Sequence, residues 1–209
     1  MKIYRLYKSI IGFTIVEMIG VLAIIAILAG ILIPKIFEAI RSSRINATIE
    51  AYNTIKTAAL ENFAKWGCFA NTDGNPYVGT SFDAILLQEG RIDSRAADKI
   101  PLSKNGGTDN VYLEITQGPG GPPGPGYFLS GTQSGSLNTV SADYTVQIVI
   151  KNVSVRDARE LSLRIDGPML TATDEYSNDW QGRVAYTLFG TSQGDNRTLV
   201  WVYMYVAHR

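Results

Sequence analysis

The chain has 209 residues, 45% of them hydrophobic, and its 19 Lys and Arg residues balance its 19 Asp and Glu residues. This length suffices for one globular domain with an appended segment. Because the formal net charge is zero and no long basic run occurs, nucleic acid is not expected as a partner. The single cysteine, Cys68, excludes an intrachain disulfide, and the single histidine, His208, excludes chemistry that needs several imidazoles.

A basic leader and a long apolar run open the sequence. Residues 1–12 carry three basic side chains and no acidic one, and residues 13–33 read FTIVEMIGVLAIIAILAGILI. As a helix rising about 1.5 Å per residue, this run would span roughly 30 Å, the thickness of a bilayer's hydrocarbon core. A soluble helix of this length would normally show a polar stripe, and none is present. We predict a membrane-spanning helix.

Three kinds of segment share these features. A cleaved secretory signal has a shorter apolar region, of about 7–15 residues, and ends at a small-residue site that is not evident here. A simple membrane anchor fits the length but leaves Glu17 unexplained, because a carboxylate inside an apolar span costs roughly 3 kcal/mol. Glu17 could also lie near the lipid headgroups, hydrated or protonated, at little cost. The third kind of segment is indicated by the residues around Glu17.

Residues 11–17, IGFTIVE, resemble the processing signal of type IV prepilins and type II secretion pseudopilins. In that family a short basic leader ends in Gly, followed by Phe and by a Glu four positions further on. The resemblance covers about the first 55 residues and includes Pro34, where the family often has a helix-kinking proline. It implies that prepilin peptidase removes residues 1–12 by cleaving between Gly12 and Phe13, and that Phe13 is then N-methylated.

The same residues suggest a mechanism of assembly. Cleavage would leave a cationic amine on Phe13, and in a bundle of such helices this amine can pair with Glu17 of a neighbouring subunit. Two charges that are costly alone in lipid become tolerable together when the helices are correctly staggered. Small residues that allow close helix approach lie along residues 13–34, the predicted polymerisation half of the helix: Gly20, Ala23, Ala26, Ala29 and Gly30.

Basic residues on both sides of the span leave its orientation open, because three precede it and three follow it closely: Lys35, Arg41 and Arg44. The resemblance implies a cytoplasmic leader, a single-pass protein of the inner membrane and a periplasmic globular domain. The partners it implies are other pilin subunits in a homo- or hetero-polymer, prepilin peptidase, an inner-membrane platform and an assembly ATPase.

Beyond Pro34 the apolar pattern becomes one-sided. Residues 35–67 predict an amphipathic continuation of the same helix, ending near Gly67 as a C-cap. Its apolar stripe has spacings of three and four residues: Ile45, Ile49, Tyr52, Ile55, Ala59, Phe63 and Trp66. One continuous helix is therefore expected to join the anchor to the globular part, residues 68–209.

The remaining sequence predicts a small sheet with short helices. Residues 81–90 indicate a short capped helix, residues 111–115 and 144–151 alternate as strands, and residues 154–165 predict a helix with Ser154 as N-cap and Asp157 in a capping box. The final strands, residues 182–189 and 197–207, predict a hairpin, with the second face of the last strand either buried or open to a neighbour. The fold class is α+β, pilin-like, with a long helix on an antiparallel sheet.

A Gly- and Pro-rich stretch, residues 117–126, interrupts the strands. It lacks the strict triplet pattern of collagen and is too short for a triple helix. An exposed loop is the expected structure, and a polyproline segment that binds a partner is the alternative.

The exported part offers few candidate sites. Asp174, Glu175 and Asp179 are candidate calcium ligands, since oxygen-rich loops can hold calcium and some pseudopilins bind it near the sheet. Ordinary solvated loop acids are the alternative, and no other cofactor is expected. A catalytic triad would need His208 close to the end of the last strand, so we predict that the chain is not an enzyme.

The sequence therefore predicts a structural subunit of a type IV pilus or a type II secretion pseudopilus. One alternative is a minor tip pilin that acts in adhesion or DNA uptake. Another is a single-pass, membrane-anchored periplasmic enzyme or binding protein. That class predicts a flexible linker after the span and a polar catalytic cluster, and the sequence has neither.

Overall fold

A computed structural model of the chain describes residues 12–103, 107–118, 127–129, 143–172, 178–188 and 199–209. The chain divides into two compact units, residues 1–41 and residues 42–209. Three features named from the sequence lie wholly or mostly outside the described residues: the leader before Gly12, most of the Gly- and Pro-rich loop, and the acids Asp174 and Glu175.

A single helix, α1, runs over Ile15–Trp66 and so joins the apolar and amphipathic halves without a break. Pro34 lies inside it and has no N–H, so the carbonyl of Gly30 loses its usual helical donor. The helix ends as predicted, because Gly67 has φ +71° and donates its N–H to the carbonyl of Phe63 at 2.8 Å. It is the one helix in the described part of the chain that is long and apolar enough to cross a membrane.

In the part of the chain that the structure describes, the sheet has four antiparallel strands in the order β1-β2-β4-β3. The predicted strands and the final hairpin pairing are confirmed. The bounds in chain order are α2 Phe82–Gln88, α3 Ala96–Lys99, β1 Val111–Gln117, β2 Tyr144–Ser154, α4 Val155–Ile165, β3 Val184–Leu188 and β4 Leu199–His208.

The main core lies between the second half of α1 and one face of the sheet. Ile45, Tyr52 and Ile55 of α1 are buried there together with side chains from all four strands. The Tyr52 hydroxyl also donates to the backbone carbonyl of Tyr205 at 2.7 Å, which ties the helix to β4. The predicted arrangement, a long helix packed on a small antiparallel sheet, is confirmed.

The second face of the sheet carries its own buried cluster. Its members are Tyr127, Val149, Ala185, Tyr203 and Tyr205. The sequence left open whether this face is covered, and the structure shows that it is largely buried. For the same reason β2 does not alternate between buried and exposed positions: residues 145–150 are all buried.

The first turns of α4 and α2 are capped differently. At α4 the Ser154 hydroxyl accepts the N–H of Asp157 at 3.2 Å and donates to its carboxylate at 2.6 Å, which confirms this cap. At α2 the predicted short helix is present over Phe82–Gln88, and the side chain of Ser81 makes no capping bond. The backbone of Ser81 turns into α2 with ψ 30° instead of the extended conformation found at Ser154, so its hydroxyl does not reach the free N–H groups.

Candidate processing and assembly site

Gly12 and Phe13 directly precede α1, and both are exposed. The side chain of Phe13 is 70% exposed. The peptide bond between these residues lies outside the helix, which begins at Ile15. A hydrolytic enzyme can therefore reach this bond without unwinding a helical turn.

Thr14 and Glu17 form a complete capping box at the start of α1. The Thr14 hydroxyl accepts the N–H of Glu17 at 3.2 Å, and the Glu17 carboxylate accepts both the N–H of Thr14 at 2.8 Å and its hydroxyl at 2.7 Å. The negative charge lies at the positive end of the helix dipole. Glu17 could be identified from the sequence, and its bond to Thr14 could also have been found there, because the spacing T-x-x-E is a capping pattern.

The first half of α1 presents an apolar surface on all sides. Seventeen of the 21 large hydrophobic side chains that are exposed in the described residues belong to residues 13–40. A Cβ atom placed on Gly20 or Gly30 would meet nothing within 4 Å, so these positions leave space for a neighbouring helix. A surface of this kind requires lipid or other helices as its cover.

Asp179 is the one calcium candidate that the structure describes. It is 1% exposed, and its carboxylate accepts the Ser162 hydroxyl at 3.1 Å and the N–H groups of Ala172 at 3.2 Å and Gln181 at 3.1 Å. Burial raises the pKa of this carboxyl to about 6, against the opposing effect of these bonds. The carboxylate thus organises the surrounding backbone. No group of three metal-binding side chains occurs among the described residues, and calcium binding stays a prediction.

The single imidazole and the single thiol have ordinary surroundings. His208 contacts the hydroxyl of Tyr205 through its Nδ1 atom. Cys68 is half-buried, and its Sγ atom lies 4.0 Å from the carbonyl oxygen of Gly74. Neither residue belongs to a cluster of potential metal ligands within the ranges that the structure covers.

Comparison with known proteins identifies a relative of this chain. No protein-family model and no solved structure matches the sequence. The type IV wide pilus major component PilA4 of Thermus thermophilus is 34% identical to this chain over 110 residues. The match covers 53% of this chain and 75% of the relative. The chain belongs to the type IV pilin family.

Membership of this family accounts for both the fold and the long apolar helix of the first unit. The pilin-like α+β fold is observed, and the long apolar N-terminal helix fits a transmembrane helix. Membership of the pilin family also points to a structural rather than an enzymatic protein, which agrees with the prediction from the sequence. The processing residues Gly12 and Phe13, the assembly role of Glu17 and the kink at Pro34 stay predictions for this pilin.

Proposed function

We propose that this pilin is a structural subunit of a type IV pilus. The observation that carries the proposal is the segment from Gly12 to Glu17, which opens a helix whose apolar surface is exposed among the described residues of its unit. The relationship to a major pilus component supports a pilus rather than a secretion pseudopilus.

Processing would precede assembly. Prepilin peptidase cleaves between Gly12 and Phe13 and methylates the new amine, while residues 13–34 hold the subunit in the inner membrane with its globular domain in the periplasm. A platform protein and an ATPase then move the subunit into the filament. The exposed position of the Gly12–Phe13 bond ahead of the helix suits the cleavage step.

Glu17 then selects the register of the growing filament. Among the described residues, its carboxylate accepts hydrogen bonds from Thr14 alone, and a carboxylate can accept about four. The amine of a neighbour's Phe13 can therefore join the capping box without displacing it. Buried among apolar helices, the charged pair is favourable only when amine and carboxylate meet.

Mass spectrometry of the N-terminal peptide from native membranes tests the processing step, with and without the prepilin peptidase. We expect a peptide that begins at methylated Phe13 and depends on the peptidase. A peptide that retains Met1 despite an active peptidase would overturn this proposal.

The Glu17→Gln variant tests the assembly step. Its amide preserves size and polarity but removes the charge, so we expect normal amounts in the membrane and at least tenfold fewer filaments. Glu38→Gln is the matched control, because Glu38 is an exposed acid further along the same helix, and it should assemble normally. Normal filament yield from Glu17→Gln would contradict the assigned role.

A further inference from the structure

A polar depression of about 320 Å³ lies in the globular unit beside the start of β1. It is formed where the segments before α2 and α3 meet the turn before β1 and the end of β2. Its lining includes Thr80, Arg95, Thr108, Asp109, Tyr112 and Lys151. None of them belongs to the core clusters or to the first half of α1, apart from the contact of Tyr112 with the second cluster.

Lys151 is held in place by aromatic rings. Its Nζ atom lies 5.0 Å from the ring centre of Tyr112 and 4.8 Å from that of Trp201. Both distances allow cation–π attraction, which orients the ammonium group. The carboxylate of Glu114 also interacts electrostatically with Lys151. In the part of the chain that the structure describes, Lys151 forms no ion pair within 4 Å. Its N–H donors are therefore fixed in position and can bind a ligand.

Arg95 is also fixed, but by a carboxylate. Its Nε atom donates to Asp83 at 3.1 Å and its Nη2 atom at 3.0 Å, and the Asp83 side chain is fully buried. Within the described ranges, the remaining guanidinium nitrogen makes no hydrogen bond, so it can donate to a ligand. The charged side chains of the lining are Arg95, Lys151 and Asp109, and their formal charges balance only when the buried Asp83, which pairs with Arg95, is counted with them.

We propose that this depression binds one unit of a neutral saccharide. A sugar presents hydroxyl groups that both donate and accept, and the lining supplies both: Lys151 and Arg95 donate, Asp109 accepts, and the hydroxyls of Thr80 and Thr108 do either. The volume lies at the lower end of ligand sites, which suits a single ring. The balanced charge disfavours a strongly anionic ligand, and the polar lining disfavours an apolar one.

A titration of the ¹⁵N-labelled full-length pilin in detergent micelles tests this site. The probes are glucose, galactose and N-acetylglucosamine, with inorganic phosphate as a competing chemistry. We expect at least one sugar to shift the amide signals of residues 107–112 and 151, with a dissociation constant on the order of 1 mM. We expect phosphate to bind more weakly than that sugar.

Variants separate the site from non-specific binding. Thr108→Val and Lys151→Met should weaken sugar binding about tenfold. Lys56→Met is the matched control, because Lys56 makes a similar contact with the Tyr52 ring, at 5.9 Å, outside the depression. This control should bind sugar normally. Thr108 is exposed, so we expect its variant to keep the fold, and thermal melts of all variants check this.

Three outcomes would overturn the proposal. They are the absence of shifts with every sugar, tighter binding of phosphate than of any sugar, and equal weakening by Lys56→Met. Assembly is measured in parallel by filament yield. Because the depression contains none of the assembly residues, Thr108→Val and Lys151→Met should form filaments at normal yield whether or not sugar binds.

Discussion

Gly182 lies where the backbone passes directly over the carboxylate of Asp166. That carboxylate is 1% exposed and accepts the N–H groups of Arg183 at 2.9 Å and Val184 at 2.8 Å. A Cβ atom on Gly182 would lie 2.5 Å from the Cγ and Oδ2 atoms of Asp166, and its φ is +77°. Glycine therefore meets two requirements at once, a close approach and a left-handed backbone.

The Gly182→Ala variant should lower the free energy of unfolding by about 3 kcal/mol, because both requirements are broken. Gly67→Ala is the matched control: its φ is +71°, but a Cβ atom there meets nothing within 4 Å. It should cost only about 1 kcal/mol. Urea unfolding of the full chain in detergent measures both values. Equal losses would show that the contact with Asp166 has no steric role.

Asp179 makes the stability of the globular unit depend on pH. Burial raises the pKa of Asp179 to about 6 in the folded state, from 3.8, and burial also raises the pKa of Asp166. A group of this kind stabilises the fold fully below its unfolded pKa, and the contribution is lost as pH rises through the folded value. The melting temperature should therefore rise by a few degrees from pH 7 to pH 5.

The pKa of Glu89 is shifted in the opposite direction, so this residue affects stability over a different pH range. Burial opposes its ionisation, but bonds from Arg91, Trp66, Asn62 and Lys65 outweigh this effect and lower the pKa of Glu89 to about 2. The stabilisation that Glu89 provides is therefore present above about pH 4.5, and it does not affect the comparison of melting temperatures at pH 5 and pH 7. Asp179→Asn should reduce the change in melting temperature between pH 5 and pH 7, which thermal melting curves measure. An unchanged dependence would assign the effect to other groups.

At the scale of single elements, the N-caps of α2 and α4 provide a controlled comparison. Ser154 bonds the first turn of α4, whereas the side chain of Ser81 makes no capping bond to α2. Ser154→Ala should therefore lower the free energy of unfolding by about 1 kcal/mol, and Ser81→Ala by much less. Chemical denaturation of the two variants measures the difference. Equal costs would mean that the bond to Asp157 contributes nothing net.

Local patterns predicted the elements that carry their own signal. The end of α1 at Gly67 and the cap of α4 depend on residues near in sequence, and both could be read directly. The four-residue helix α3 was missed because it is too short to show a period. The burial of both faces of β2 depends on segments distant in sequence, so alternation of residue types could not reveal it.

For the candidate sites, too, features set by neighbouring residues could be predicted, and features that depend on distant segments could not. Glu17 could be found because its environment, an apolar run, is adjacent in sequence. The partners of Asp179 lie up to 17 residues away, and only the folded backbone brings them together. The depression beside β1 collects residues from four separate segments, and no short motif marks it.

At the scale of the whole molecule, the two units have opposite solvent requirements. The buried hydrophobic core begins at Ile45, and the exposed apolar surface is concentrated in residues 13–40. The bonds from Arg164 to Ser42 at 3.1 Å and to Asn46 at 2.6 Å lie within the second unit. A chain that begins at residue 42 therefore keeps the core and these bonds.

We expect residues 42–209 to fold without detergent as a soluble monomer with a cooperative melting transition, since the buried apolar area that stabilises the fold is retained. The full chain should require detergent or lipid, and only the full chain should form filaments. Gel filtration of the two chains tests for a soluble monomer, circular dichroism follows the melting transition, and electron microscopy detects filaments. Ile45→Asp in the shorter chain places a charge at a position that is 1% exposed and should abolish the transition. Aggregation of the shorter chain without that substitution would show instead that the first unit is needed for the fold.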